Sequence, residues 1–549
     1  MNHRRLIRLI IACGILFAGG VLLQGYVTDD TFIHLRYAQH LLTRGEFSFN
    51  PGVSTYGATS PLWIVGLVAL LELGLAPLTA AWVLGLIAGL LMLFLFDAIL
   101  ARLPWPPWWR AVLLWLAASD AWFVRWTWSG METPLATALL LVLLLPLFGQ
   151  PAAARSVRWR VFLAWGGSAA LAGLVRPEFI LLAPLAWPWL LWHESRVQPA
   201  GTTRWPRLVL ASLVGWLVVL GPWLLFSYRV FGHLLPGTAS AKSYALTVAP
   251  DRLVASGLRS LQQLAATQGT LWLALLGLTL AFLLLRAWRR TQTNTKTNDG
   301  TDQIPGGEVA CWSTRQTALV GITVTWCLAL MGGYAVKQVW VISRYLAPLA
   351  PPLLLALGVV AHWFWTRGRG RGCLADTWFG GTVWRWVCTV CLGLGCVVCL
   401  AVNGWLLVSQ VRPHAQDFSR GVNDCYLGIG EWLARESASD ALVAALDIGA
   451  VGYASERRVL DLMGLVSPEL IDLGHEIGFE EMVASGAWLD VERPDYLVDR
   501  TVGPPRWTDR QLKGVRFELL DTCIIEGVGL REPEPWTVAL YRLVPLDPE

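Results

Sequence analysis

Two adjacent carboxylates, Asp29 and Asp30, stand just beyond the first apolar stretch of the chain, with Arg36 and Tyr37 soon after them. A carboxylate placed there can take a proton from an attacking hydroxyl, and one of a pair can hold a metal ion. Such an attack expels an anion, which cations must receive. Lys242 and Arg344 suit that task, because each sits in a stretch otherwise short of positive charge. Arg grips a phosphate as a fork and Lys as a point charge. Glu132, in Ser129-Gly130-Met131-Glu132-Thr133-Pro134, is a further acid, and Arg176 and Glu178 flank Pro177. Each of these groups has a plainer use. Thr28 and Asp29 would cap a helix starting there, but one cap needs one acid and two are present. Glu132 stands at a helix start, where negative charge is favourable anyway. Arg176 and Glu178 would neutralise each other near lipid, and Lys242 and Arg344 would snorkel along their own stems.

These groups belong to a membrane protein. The 549 residues are 55% hydrophobic and only 15% charged, with a mean hydropathy of +0.50. Soluble domains carry about a quarter charged residues, so a cytosolic enzyme, a disordered chain and a coiled coil are excluded together. The balance of 43 Lys+Arg against 39 Asp+Glu is no footprint for nucleic acid, and the 32 Trp suit a protein with two long water–lipid interfaces. Apolar runs long enough to cross about 30 Å of hydrocarbon lie at 6 to 25, 77 to 100, 108 to 127, 133 to 148, 161 to 175, 178 to 192, 208 to 227, 268 to 287, 316 to 335, 345 to 365 and 384 to 407. The fold class is therefore mostly α, with about eleven spans.

Arg4, Arg5 and Arg8 precede the first run, and no small-x-small site follows it, so it reads as a retained signal anchor with a cytoplasmic N-terminus. Alternation then puts Arg102 and Arg110, Arg155 to Arg160, Arg196 to Arg207, Arg286 to Lys296 and Arg367 to Arg371 inside. The loops 26 to 60, 128 to 132, 229 to 265 and 336 to 344 fall outside. So does everything after the transmembrane module of residues 1–407: residues 408–549, whose composition changes to that of a small α/β domain. Cys425 and Cys523 are the only cysteines there, and an external, oxidising location predicts a disulfide between them. Residues 30 to 44 suit an amphipathic helix on the membrane surface, with Ile33, Tyr37, Ala38 and Leu41 on one face.

The first external loop, with Asp29-Asp30, Arg36-Tyr37-Ala38 and the turn Phe49-Asn50-Pro51-Gly52, resembles that of the GT-C superfamily of membrane glycosyltransferases. The likeness is to bacterial arabinofuranosyl- and mannosyltransferases in particular. Ser129 to Pro134, Arg176-Pro177-Glu178, Leu235-Pro236-Gly237-Thr238 with Lys242, Arg344-Tyr345-Leu346-Ala347-Pro348 and Asp461 to Leu465 extend it over most of the chain; Gly237 departs, since relatives often have Asn there. The resemblance implies a polyprenyl-phosphate monosaccharide as donor and inversion at the anomeric carbon. It also implies an envelope glycan or lipid as acceptor and a bacterial inner membrane location. On that reading Asp29 is the base, with Asp30 and Glu132 supporting it or holding a divalent cation, Mg or Mn, at Asp30. Lys242 and Arg344 bind the phosphate, Arg176 orients these groups, and Arg36, Tyr37, Glu178 and Tyr345 contact substrate. A protein O-mannosyltransferase differs only in acceptor. A non-catalytic lipid transporter or flippase would more naturally show hydropathy repeats and mid-span ionisable residues.

Other motifs carry little. Cys388, Cys391, Cys396 and Cys399 form two CxxC units on one predicted transmembrane helix, which cannot aim four sulfurs at one centre. Residues 368 to 372 form a basic turn without the spacing of a phosphate loop, and residues 293 to 307 form a polar linker. The turn Asp447 to Gly452 follows a strand, where α/β sheets gather ligands, and is a candidate for acceptor binding.

Overall fold

The computed structural model describes residues 3–148, 155–197, 205–237, 249–296, 313–339, 341–366, 381–477, 479–528 and 534–546. Lys242, the basic turn 368 to 372 and most of the polar linker, from 297 on, lie outside these. A helical bundle carries a mixed sheet domain at one end. Among the described residues six helices are long and apolar enough to cross a membrane: His3–Leu22, Pro77–Ala101, Trp205–Phe231, Thr314–Val336, Ser343–Thr366 and Arg385–Glu436. The other apolar runs fall on helices that are shorter or richer in charge, such as Thr133–Phe148. Pro61–Glu72, between the external loop 26 to 60 and the run 77 to 100, is a further short apolar helix opened by Pro61 at its first turn.

Buried charge pairs mark the end of the bundle away from the sheet. Asp97, with no exposed surface, accepts from Arg8 Nε at 2.5 Å and Arg5 Nε at 2.6 Å, and Arg158 meets Glu194 at 2.6 Å. The first helix, of 20 residues, carries the chain from there to Asp29, a rise of about 30 Å.

The last long helix does not stop where composition changes. Gly381–Leu406 continues through π-turns at Leu407–Val411 and Val422–Leu427 to Glu436, so the boundary drawn at 407 to 408 lies inside an unbroken helical stalk. The sheet beyond it contains β3 (Leu442–Ala445), β4 (Arg458–Asp461), β5 (Tyr496–Val502), β6 (Gln511–Leu512), β7 (Val515–Ile525) and β8 (Trp536–Pro545), in the order β4-β3-β5-β8-β7-β6. β3 pairs in parallel with β4 and β5, and the rest is antiparallel. A disulfide between Cys425 and Cys523, Cα atoms 5.8 Å apart, ties the stalk to β7.

The first loop is the seat of this domain. Its helix, Asp29–Arg44, is buried all round from Thr31 to Ala38, so it is not the surface helix expected from one apolar face. The second face is covered because its polar groups find backbone partners. Arg36, 2% exposed, donates from Nε to the Phe49 carbonyl (2.7 Å) and from Nη2 to that of Arg457 (2.7 Å). The hairpin β1 (Ser48–Asn50) and β2 (Val53–Ser54) turns at Pro51 and Gly52, Gly52 having φ of +75°. Asn50 then presents its amide to the edge strand β4, donating to the Val459 carbonyl at 2.8 Å and accepting from its N–H at 2.9 Å. That covers an edge which would otherwise be open to pairing. One apolar core runs from Phe32, Phe49 and Trp63 into Val443, Val451 and Val498, fusing loop and domain.

Three carboxylates in this region titrate high. Asp461 is pushed up to about 7 and Asp499 to about 6, chiefly by burial. Asp29 is pushed up to about 7 by burial and then by the neighbouring Asp447. Raised folded pKa values mean that the folded state holds more protons than the unfolded one between about pH 4 and 7. Stability from these groups is thus full below the unfolded pKa and lost as pH rises through the folded one. The thermal midpoint of the sheet domain in the full chain should be higher at pH 5 than at pH 8, and Asp461→Asn should flatten the dependence. A midpoint rising over that interval in the wild type would refute this.

Candidate active site

Thr28 and Thr31 shape the start of the helix Asp29–Arg44. The Thr28 N–H donates to the Thr31 hydroxyl (3.4 Å), which itself donates to the Ser129 carbonyl at 2.8 Å. Gly130, at φ +77°, lets the chain turn there: a Cβ would come within 2.7 Å of the Thr31 methyl. Neither Asp29 nor Asp30 caps this helix, and successive helical residues diverge by about 100°, so the two acids face different ways.

Asp29 turns to the sheet domain. Its Oδ2 accepts from the Gly449 N–H (2.9 Å) and its Oδ1 from the Ala450 N–H (2.8 Å). It thereby fills the position at the turn after β3 where the sequence suggested acceptor binding. Nearby, Tyr426 donates to Asp447 at 2.6 Å, and Arg500 pairs with the same carboxylate at 2.7 Å. Arg36 shares the Asp29 face of the helix. Tyr37, with no exposed surface, donates to the Thr55 carbonyl (3.0 Å) and accepts from the Gly57 N–H (3.1 Å). Asp29, Arg36 and Tyr37 therefore do not line the cavity described next; Asp29 and Arg36 hold the loop to the domain, and Tyr37 braces the loop itself.

Asp30 faces a cavity of about 700 Å³. Ile33 and His34, three and four residues on, share its face and the cavity wall. Glu132, Arg176, Glu178, Lys337, Arg344 and Tyr345 also line it, as do Thr59 and Tyr334, with Leu465 reaching in from the sheet domain. Asp30 meets Arg344 at 2.5 Å. Arg176 donates from Nε to Glu178 at 3.0 Å and from Nη1 to the Arg344 carbonyl at 2.7 Å, and lies 3.8 Å from Glu132. Tyr345 has a guanidinium over its ring from each Arg, at 5.2 Å and 5.4 Å, and Tyr334 donates to Glu178 at 2.9 Å.

Local sequence explains these placements. Arg176 precedes Pro177 and is extended, φ −144° and ψ 115°, which breaks the helix Arg155–Val175 and swings the guanidinium inward. Ser343, next to Arg344, accepts from Trp126 Nε1 at 2.9 Å, pinning that short turn. Asp461 accepts from the Met463 and Val466 N–H groups at 2.9 and 3.0 Å, folding the turn that carries Leu465.

Lys337 was not anticipated from the sequence. It ends the helix Thr314–Val336, is exposed, and makes no ion pair among the described residues. A lone Lys directly after an apolar run was the available signal. His34 was equally readable, one turn after Asp30. Below the charges the wall is apolar: Ile180, Leu181, Leu182 and Leu185 on one side, Ala329, Leu330, Gly332, Gly333 and Val336 on the other. A Cβ on Gly332 or Gly333 would meet nothing within 4 Å, and Leu181 is 66% exposed, so this part opens sideways from the bundle.

A divalent cation at Asp30 does not fit this donor set. Among the described residues no three Asp, Glu, His or Cys side chains converge, and the carboxylate already faces a guanidinium at contact distance, which takes the place of a cation.

Comparison places the whole chain beside solved membrane proteins. ArnT from Cupriavidus metallidurans bound to undecaprenyl phosphate aligns with a TM-score of 0.52 at 12% identity, over 97% of each chain. Its apo form gives 0.52 at 13% identity, again over 97% of each. The mycobacterial arabinofuranosyltransferase AftD gives 0.49 at 14% identity, over 99% of this chain and 40% of that one. Residues 413–541 match a family model described as a domain of unknown function, DUF8728. No curated protein sequence matches the chain.

Proposed function

We propose that this chain, whose fold is the GT-C fold of ArnT, is an inverting membrane glycosyltransferase. It would move one monosaccharide from a polyprenyl-phosphate carrier to an envelope glycan or lipid. The observation that carries the reading is the cavity itself: cations and carboxylates converge beside an apolar slot that opens sideways. A lipid-linked phosphate needs both in that order, and the solved relative of like fold binds undecaprenyl phosphate.

The carrier chain would lie in the slot between Ile180–Leu185 and Ala329–Val336, its phosphate near Arg344 and Lys337. An acceptor hydroxyl enters under Leu465 and the loop Gly57–Thr59. Its oxygen attacks the anomeric carbon as the bond from that carbon to the phosphate oxygen breaks. The leaving oxygen keeps the electron pair, stabilised by the cations, and the hydroxyl proton passes to Asp30. Asp30 takes the role first given to Asp29, because, of that adjacent pair, it is the acid that reaches the cavity. Arg176 holds the Arg344 backbone and Glu178 in place. No metal enters this scheme. We further infer about eleven passes, with the sheet domain outside a bacterial plasma membrane, from the arginine-rich loops at the opposite side.

The test is incubation of purified protein with labelled polyprenyl-phosphate sugars and a crude envelope acceptor. One donor should be consumed and its label found on a larger glycan or lipid. Label on protein would point to an O-mannosyltransferase. Movement of intact donor across vesicles without consumption would replace the enzyme reading by a transporter.

A further inference from the structure

Glu132 is the least satisfied of the buried carboxylates around the cavity. It is 3% exposed, its Oε1 stands 3.8 Å from Arg176 Nη1, beyond hydrogen-bond reach, and its Oε2 has no hydrogen-bond partner among the described residues. Arg176 directs its bonds elsewhere, to Glu178 and to the Arg344 carbonyl. Glu132 does not cap the helix Thr133–Leu144, since no backbone N–H reaches its side chain. A buried carboxylate left in this state costs stability. Its place in a cavity wall fits a group waiting for a ligand's donors.

A carboxylate only accepts hydrogen bonds, and it repels phosphate. The phosphate therefore belongs nearer Lys337 and Arg344. What meets Glu132 must bring O–H groups, and in a glycosyl donor those are on the sugar. Asp30, with a third of its side chain exposed, is open to an incoming acceptor in a way that Glu132 is not. We propose that Glu132 is the residue that reads the transferred sugar, its free oxygen accepting from hydroxyls of the donor's monosaccharide. This rests on the glycosyltransferase reading above and adds to it the group that selects the sugar. A site built around such bonds rejects a ligand lacking them far more strongly than an apolar pocket rejects a misfit.

The experiment compares bare undecaprenyl phosphate with undecaprenyl-phosphoryl mannose, glucose and arabinofuranose. Each is bound to the full chain in nanodiscs and quantified by native mass spectrometry. In the wild type at least one sugar-bearing lipid should bind more tightly than the bare carrier. Glu132→Met, which keeps the volume and removes both acceptors, should lower that lipid's affinity tenfold or more and leave bare carrier within about twofold. Glu132→Gln, still an acceptor but uncharged, should fall between. The thermal midpoint of ligand-free Glu132→Met should equal or exceed the wild type, because an unsatisfied buried charge has gone. Equal losses for bare and sugar-bearing lipid, or no loss for either, would overturn the assignment, as would a wild type with no preference for sugar. If the wild type binds neither lipid, the glycosyltransferase reading itself fails.

Discussion

Asp30→Asn should lower sugar transfer by roughly a hundredfold or more, the usual loss when a positioned base is removed, while Asp29→Asn stays close to wild type. The substitution keeps the shape and an acceptor for the Arg344 guanidinium, now 2.5 Å from Asp30, but removes the basicity. A carboxylate beside a guanidinium is a weak base toward an alcohol. The step works if proton transfer comes late, when the bond to phosphate has largely broken and the attacking oxygen has become acidic. Asp29 has both oxygens on the backbone N–H groups of Gly449 and Ala450. Asn accepts from only one of these N–H groups and turns its NH2 toward the other, so Asp29→Asn should lose some stability and Asp29→Ala about 1 kcal/mol or more, without loss of rate. Single-turnover rates with saturating donor separate the cases. A near wild-type rate for Asp30→Asn with a large loss in Asp29→Asn would return the base to Asp29 and require the junction to open during catalysis.

Arg344→Ala should cause the largest loss of carrier binding. It removes a phosphate ligand that is itself largely buried, and truncating one partner of such a charge pair costs about 2 to 5 kcal/mol, or roughly thirtyfold and more in affinity. Arg344→Lys should recover only part of this, since a point charge cannot serve Asp30 and a phosphate together as a fork can. Lys337→Ala, on an exposed side chain, should cost less and its effect should shrink with salt. Undecaprenyl phosphate bound by the Arg344→Ala protein at wild-type affinity would remove Arg344 from the phosphate site.

The unequal fates of neighbouring residues show what each level of structure decides. Apolar run length and charge asymmetry are local properties, since any helix that crosses lipid must satisfy its backbone internally and carry apolar side chains. They were enough to read a polytopic helical bundle and a C-terminal sheet domain from the sequence alone. The stretches Ala441 to Leu446, Arg458 to Leu462, Tyr496 to Asp499, Phe517 to Ile524 and Thr537 to Leu543 likewise read as strands in the sequence, and each overlaps an observed one. The motifs of the first loop were legible as motifs, but not their division of labour. Asp29 and Asp30 are chemically identical and adjacent; only the sheet domain, some 420 residues later along the chain, determines that one meets backbone N–H groups and the other a cavity. Arg36, Tyr37 and Asn50 were legible as polar residues with work to do. Their partners are mostly backbone atoms, Phe49, Arg457, Thr55 and Val459, and a carbonyl carries no mark in the sequence of the residue that will use it. Lys337 and Leu465 belong to the cavity only because distant segments converge. Convergence is a property of packing, in which each face of a helix is assigned by what covers it, and no periodicity along one segment records what the others bring.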